Sequence, residues 1–89
     1  MRVNKVITLP VDLQGRAASE IMRQVSIEIL QPIFLSKDNR EVNLNSLLGV
    51  LSLGAKQGDR VTLSAYSEEA LDECIKIINE EATKYGISN

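Results

Sequence analysis

The sequence predicts an α+β domain, an open-faced sandwich in which a four-stranded, mainly antiparallel sheet carries three helices on one face in the order βαββαβα. Three observations lead there. Four segments alternate polar and apolar residues with a strand's period, and two longer ones repeat apolar residues at helical spacing. A further short apolar run opens on a serine and stops at a glycine, as a capped helix does. Only two of the strands are adjacent in the chain, and the turn between them is short enough for a hairpin alone.

The first strand covers Val3 to Leu9, with Val3, Lys5, Ile7 and Leu9 on one side and Asn4, Val6 and Thr8 on the other. Lys5 is the one charge out of place. Pro10 through Gly15 breaks the alternation, and from Arg16 to Ser26 the apolar positions Ala18, Ile21, Met22 and Val25 define a helix. Ile33-Phe34-Leu35 and Glu41-Val42-Asn43 then flank Lys37-Asp38-Asn39-Arg40, in which Asp38 and Asn39 tolerate the left-handed backbone of a tight turn. Pro32, with no amide donor, belongs at the start or the unpaired edge of its strand.

Ser46 is the natural N-cap of a short helix from Leu47 to Leu53, stopped by Gly54. Beyond Gln57-Gly58-Asp59, Val61, Leu63 and Ala65 alternate with Arg60, Thr62 and Ser64, which predicts a fourth strand with one wet face. Ser67 caps the last helix. Its apolar residues Leu71, Cys74, Ile75, Ile78 and Ala82 keep the helical period, while Glu68 and Glu69 open it and Lys84 closes it, each at the end the helix dipole favours.

The 89 residues, 44% of them hydrophobic, contain no linker-like run, so one domain is expected across 1–89. A chain this short buries only about 60% of its unfolded surface, and its core must be aliphatic, with two tyrosines, one phenylalanine and no tryptophan to draw on. A net charge of -2 with scattered Lys and Arg argues against direct nucleic-acid binding. No apolar run reaches the roughly 18 residues of a membrane span, and Met1 to Asn4 does not open a signal peptide; the expected location is the cytoplasm. With no histidine and a single cysteine, Cys74, on an apolar helix face, neither a metal site nor a disulfide is expected, and no cofactor is implied.

The acid–base inventory for catalysis is thin. Asp12, Glu20 and Glu28 are read as solvated surface charges. The glycines between Gly49 and Gly58 are read as helix and turn endings, because the Gly-Lys-Ser/Thr ending of a phosphate-binding loop is missing. Two places stand out. At Asp12-Leu13-Gln14-Gly15-Arg16-Ala17-Ala18 a polar amide precedes a helix start beside an arginine, a combination that is either an ordinary turn or an anion site. The second is the Leu47–Leu53 helix, too apolar for one buried stripe. Val50 and Leu53 are expected to pack inward, leaving Leu47, Leu48 and Leu51 as an exposed patch beside Ser46.

The run from Lys37 to Gly54 follows, almost position for position, the signature around the regulatory serine of the HPr family, the phosphocarriers of the sugar phosphotransferase system. The resemblance covers nearly all of residues 3 to 84, and the predicted element order is also the family's order. In a phosphocarrier the first junction reads Gly-Ile/Leu-His-Ala-Arg-Pro-Ala; here Gln14 stands at the histidine position. An amide lacks the basic nitrogen that accepts a phosphoryl group, so relay from enzyme I is not expected.

A glutamine there with the serine retained resembles the Crh-like members of the family. That likeness implies a non-enzymatic regulator, phosphorylated on Ser46 by HPr kinase/phosphorylase and then acting as corepressor of a LacI-type catabolite control repressor. It also implies partner contacts through Gln14, Gly15, Arg16, Leu47, Leu48 and Leu51, expected to form one surface, on a monomer or weak dimer. Three departures stand out: Ala17 for the family's proline, Gly15 for its alanine, and Asn45 for the lysine often found before the serine, which leaves a phosphate less neutralised. A constitutive binding module that uses the same patch without phosphorylation is the alternative.

Overall fold

The computed structural model describes residues 1–85. Its elements are β1 (Val3–Thr8), α1 (Gly15–Glu28), β2 (Phe34–Lys37), β3 (Arg40–Asn43), α2 (Leu47–Ser52), β4 (Arg60–Ala65) and α3 (Glu68–Lys84). The sheet runs β1-β4-β2-β3 and all three pairings are antiparallel, Val3 opposite Ala65 to Thr8 opposite Arg60, Phe34 opposite Ser64, and Phe34 opposite Asn43. The hairpin between β2 and β3 turns at Asp38 (φ 51°) and Asn39 (φ 68°), left-handed at both central residues, which matches the right-handed twist of the strands it joins.

The core lies between the sheet and the helices, and its large fully buried members are all aliphatic: Leu9, Leu13, Ile21, Ile33, Leu35, Leu44, Leu63, Leu71 and Ile78. Lys5 belongs to the helix-covered side of β1, but β1 is an edge strand. Its ammonium therefore reaches out to Asp72 of α3, donating to Oδ1 at 2.9 Å, and that partner raises its pKa.

Four sequence expectations are corrected. The second face of β4 is not uniformly wet, for Ser64 is buried. It lies between Asn4 and Phe34 on neighbouring strands, and Arg2 reaches over it to set its guanidinium 3.8 Å from the Phe34 ring and pair with Glu41 at 3.1 Å, while Tyr66 meets Phe34 edge-on at 6.2 Å. The first helix starts at Gly15 and continues to Glu28, and on α3 the buried position is Ile77 while Ile75 is only half-covered. Gly49 ends nothing. It sits inside α2, where a Cβ would come within 3.2 Å of the Val42 Cβ and 3.1 Å of the Ser46 Oγ, so its job is to let α2 approach β3.

Candidate functional site

The two unusual places of the sequence lie at opposite ends of one helix pair. The Leu13 amide donates to the Ala55 carbonyl at 3.0 Å, just past the end of α2, whereas the Ser26 hydroxyl near the end of α1 donates to the Asn45 side chain at 3.2 Å, just before α2 begins. The helices therefore run antiparallel, and about 21 Å of α1 at 1.5 Å per residue separates the Gln14 end from the Ser46 end. The expected single surface is a strip with two poles.

At the first pole Gln14 is the residue before α1, in extended backbone, and its side chain makes no capping hydrogen bond. Gly15 follows with φ +56°, a conformation in which a side chain would be strained. Arg16 is exposed and forms no ion pair among the described residues. Together with Asp12, Gln57 and Tyr85 they line an open cleft of about 390 Å³. Asp12 is fixed there, its Oδ1 accepting from the Gln57 amide at 2.8 Å. The groups are amides, a guanidinium, the Tyr85 phenol and a carboxylate already engaged by the Gln57 amide, with no imidazole or thiol among them.

The second pole carries the hydroxyl. Ser46 is exposed, in extended backbone, and its Oγ accepts from the Gly49 amide at 3.2 Å, the N-cap bond the sequence called for. On α2, Val50 is fully buried and Leu53 nearly so at 8% exposure, while Leu47, Leu48 and Leu51 are 40%, 82% and 37% exposed. The inward pair and the outward triplet are those the periodicity separated. Gly49 and Ser52 face β3, through Val42 and Arg40. Helical spacing then puts Leu47 and Leu51 on the other flank, toward α1, with Leu48 pointing out. The Ser46 Oγ lies on the Gly49 side, toward β3, so the hydroxyl and the leucines share the N-terminal end of α2 and its exposed surface but not one flank.

Two contributors to this pole escaped the sequence reading. Arg40 of β3 donates to the Ser52 carbonyl at 3.0 Å and to its Oγ at 2.9 Å, and Ser52 Oγ donates in turn to the Gly49 carbonyl at 2.7 Å. Gly49 itself is the other; a glycine inside a run that otherwise reads as helix was the available signal for a close approach. Nothing in the sequence marked Arg40, which looks like any hairpin charge. Elsewhere, the buried thiol of Cys74 has its pKa pushed up to about 12 by burial, and the Asp59 carboxyl is held low by the Lys56 amide and the neighbouring Lys37. No cluster of metal-binding side chains forms among the described residues, and no helix there is long and apolar enough to cross a membrane.

Comparison with known proteins agrees with this geometry. A family model described as the PTS HPr component phosphorylation site matches residues 2–80. The HPr-like protein Crh of Bacillus subtilis is 33% identical over 78 residues, covering 84% of this chain and 91% of the relative, and the Crh of Halalkalibacterium halodurans is 30% identical over a similar span. Among solved structures, an HPr from Thermoanaerobacter tengcongensis superposes with a TM-score of 0.74 at 31% identity, over 93% of this chain and 96% of the other. A Bacillus subtilis Crh structure, described as a domain-swapped, intertwined dimer, gives 0.67 at 33% identity over 84% and 88%. The sheet and helices that set Ser46 beside an open leucine face are those of its relatives, and the chain belongs to the HPr family.

Proposed function

We propose that this chain is a non-enzymatic, Crh-like regulator, switched by phosphorylation of Ser46 and unable to relay phosphoryl groups from enzyme I. The observation that carries the reading is the contrast between the poles: an exposed serine hydroxyl at the start of α2 beside three exposed leucines, and Gln14, without a nucleophilic nitrogen, at the start of α1. In the reaction the Ser46 Oγ takes the γ-phosphoryl group of ATP, the bond to the ADP oxygen breaks, and the hydroxyl proton leaves to a base of the kinase. The product carries about -1.5 to -2 charge, and the free amides of the first turn of α2 are the donors that accept it.

Phosphorylation then acts by composition of a surface. The phosphate offers charge-assisted hydrogen bonds to a partner's arginine or lysine, and Leu47, Leu48 and Leu51 offer the apolar area that a partner buries. Asn45 is neutral and accepts from the Ser26 hydroxyl, so the chain adds no cation at that position and the charge stays available to the partner. HPr kinase/phosphorylase is the modifying partner on this reading and a LacI-type catabolite control repressor the reader, in the cytoplasm, with the chain acting as a monomer or weak dimer. Arg16, at the far pole, supplies a second contact in this reading only if the partner spans the length of α1.

The test is incubation with HPr kinase, ATP and magnesium. One phosphate is expected, on Ser46, and Ser46→Ala abolishes it. A kinase that labels a control HPr and leaves this chain unmodified overturns the reading in favour of a constitutive module.

A further inference from the structure

We infer that Arg40 is a positioning residue for the Ser46 switch, the clamp that keeps α2 and its leucine face in place while the serine is engaged by a partner; this rests on the reading of Ser46 given above. A helix from Leu47 to Ser52 is far below the length at which helices persist on their own, so its ends must be held by something outside its own ladder. Three groups do this. Val50 anchors the inward face, Ser46 Oγ holds the N-terminal amide of Gly49, and Arg40 holds the C-terminal end through the Ser52 carbonyl and hydroxyl.

The Ser46 contact cannot serve as a clamp and as a nucleophile equally well. A lone pair committed to the Gly49 amide is drawn away from phosphorus, and once esterified the same oxygen is a poorer acceptor. During transfer, then, the N-terminal clamp loosens at the moment when the kinase needs the helix in register. Arg40 lies at the other end and on another element, so it is untouched by that change. Its positive charge meets the carbonyl end of the helix, where it is favourable, and its two donors fix both distance and direction. Ser52 Oγ relays the restraint inward by donating to the Gly49 carbonyl, tying the C-terminal clamp to the residue that Ser46 caps.

The experiment compares wild type, Arg40→Ala and Arg40→Lys by amide hydrogen exchange and by kinase kinetics. In the unphosphorylated Arg40→Ala protein, exchange at the Val50, Leu53 and Gly54 amides is expected to quicken about 3- to 10-fold, the range for losing an exposed charge-assisted hydrogen bond, while β4 amides, which open only with the whole fold, quicken by no more than the same factor. The kinase KM is expected to rise by a similar factor at unchanged kcat, and Arg40→Lys, with one compact donor group, to recover part of it. A purely structural role moves exchange without moving KM, and that result overturns the assignment, as does an Arg40→Ala protein identical to wild type in both. If the wild type itself takes no phosphate, the Ser46 reading fails and carries this one with it, which is distinct from a labelled wild type whose KM the variant shares.

Discussion

At the start of α1, extended backbone turns into helix through Gln14 and a left-handed Gly15, with no side chain closing the turn; at the start of α2, Ser46 closes it with its own hydroxyl. The first start belongs to a 14-residue helix whose buried face of Ala17, Ala18, Ile21, Met22 and Val25 stabilises it without a cap. The second belongs to a six-residue helix that depends on its end contacts. A cap is dispensable where packing suffices and matters where it does not. On the reading proposed above, modification of Ser46 falls on a residue whose local bond counts, whereas Gln14 is a residue whose side chain caps nothing.

The comparison breaks most visibly if the α1 pole proves chemically competent. With phosphoenolpyruvate and enzyme I, no phosphate is expected on this chain, because the sequence has no histidine and Gln14, on the proposed reading, stands at the carrier position. Acid-labile, hydroxylamine-sensitive label under those conditions would falsify that expectation outright. A smaller effect sharpens the α2 pole. Leu53→Ala, which empties a buried site, should cost about 2–4 kcal/mol in urea unfolding, whereas Leu47→Ala should change stability by about 0.5 kcal/mol. In repressor titrations with the phosphorylated protein, Leu47→Ala is expected to lose roughly 1–3 kcal/mol. If Leu47→Ala instead unfolds like Leu53→Ala, the leucine is core and the open face is smaller than described.

The smallest effect at neutral pH lies far from both poles. Cys74 titrates near 9.0 when unfolded and is pushed up to about 12 by burial in the folded chain. Between those values the unfolded state has lost a proton that the folded state keeps, so stability falls as pH rises through that window and is unaffected below it. Urea midpoints measured from pH 8 upward should therefore decline less steeply in Cys74→Ala than in wild type. Equal slopes would show that the thiol is not buried as described.

Much of this was legible before any coordinates, for a physical reason: strand and helix periods, caps and hairpin turns are local signals. Asp38-Asn39, Ser46, Ser67 and the division of the α2 leucines into inward and outward sets all depend on neighbours within one or two turns. What the sequence hid depends on burial and contacts set by how the elements pack together. Ser64 looks solvated until Arg2 and Phe34 are placed over and beside it, Glu81 is a buried carboxylate on α3 held by Lys84 at 3.1 Å, and Arg40 meets Ser52 only because the hairpin folds back onto α2. The phosphocarrier position and the serine were marked by likeness to a family, and the geometry added that they stand at opposite ends of a helix pair.

The pairing of β1 with β4 bears on how the chain is made. Val3 finds its partner in Ala65, so β1 leaves the ribosome about sixty residues before the strand it pairs with. At ordinary elongation speeds of 5–20 residues per second that interval is about 3–12 s. Throughout it a β-branched strand with a free edge on both sides is exposed to other nascent chains, and Lys5 is the one charge within it to discourage their pairing. In the finished protein the same lysine is bound to Asp72, so a residue that guards the strand during synthesis later anchors it against α3.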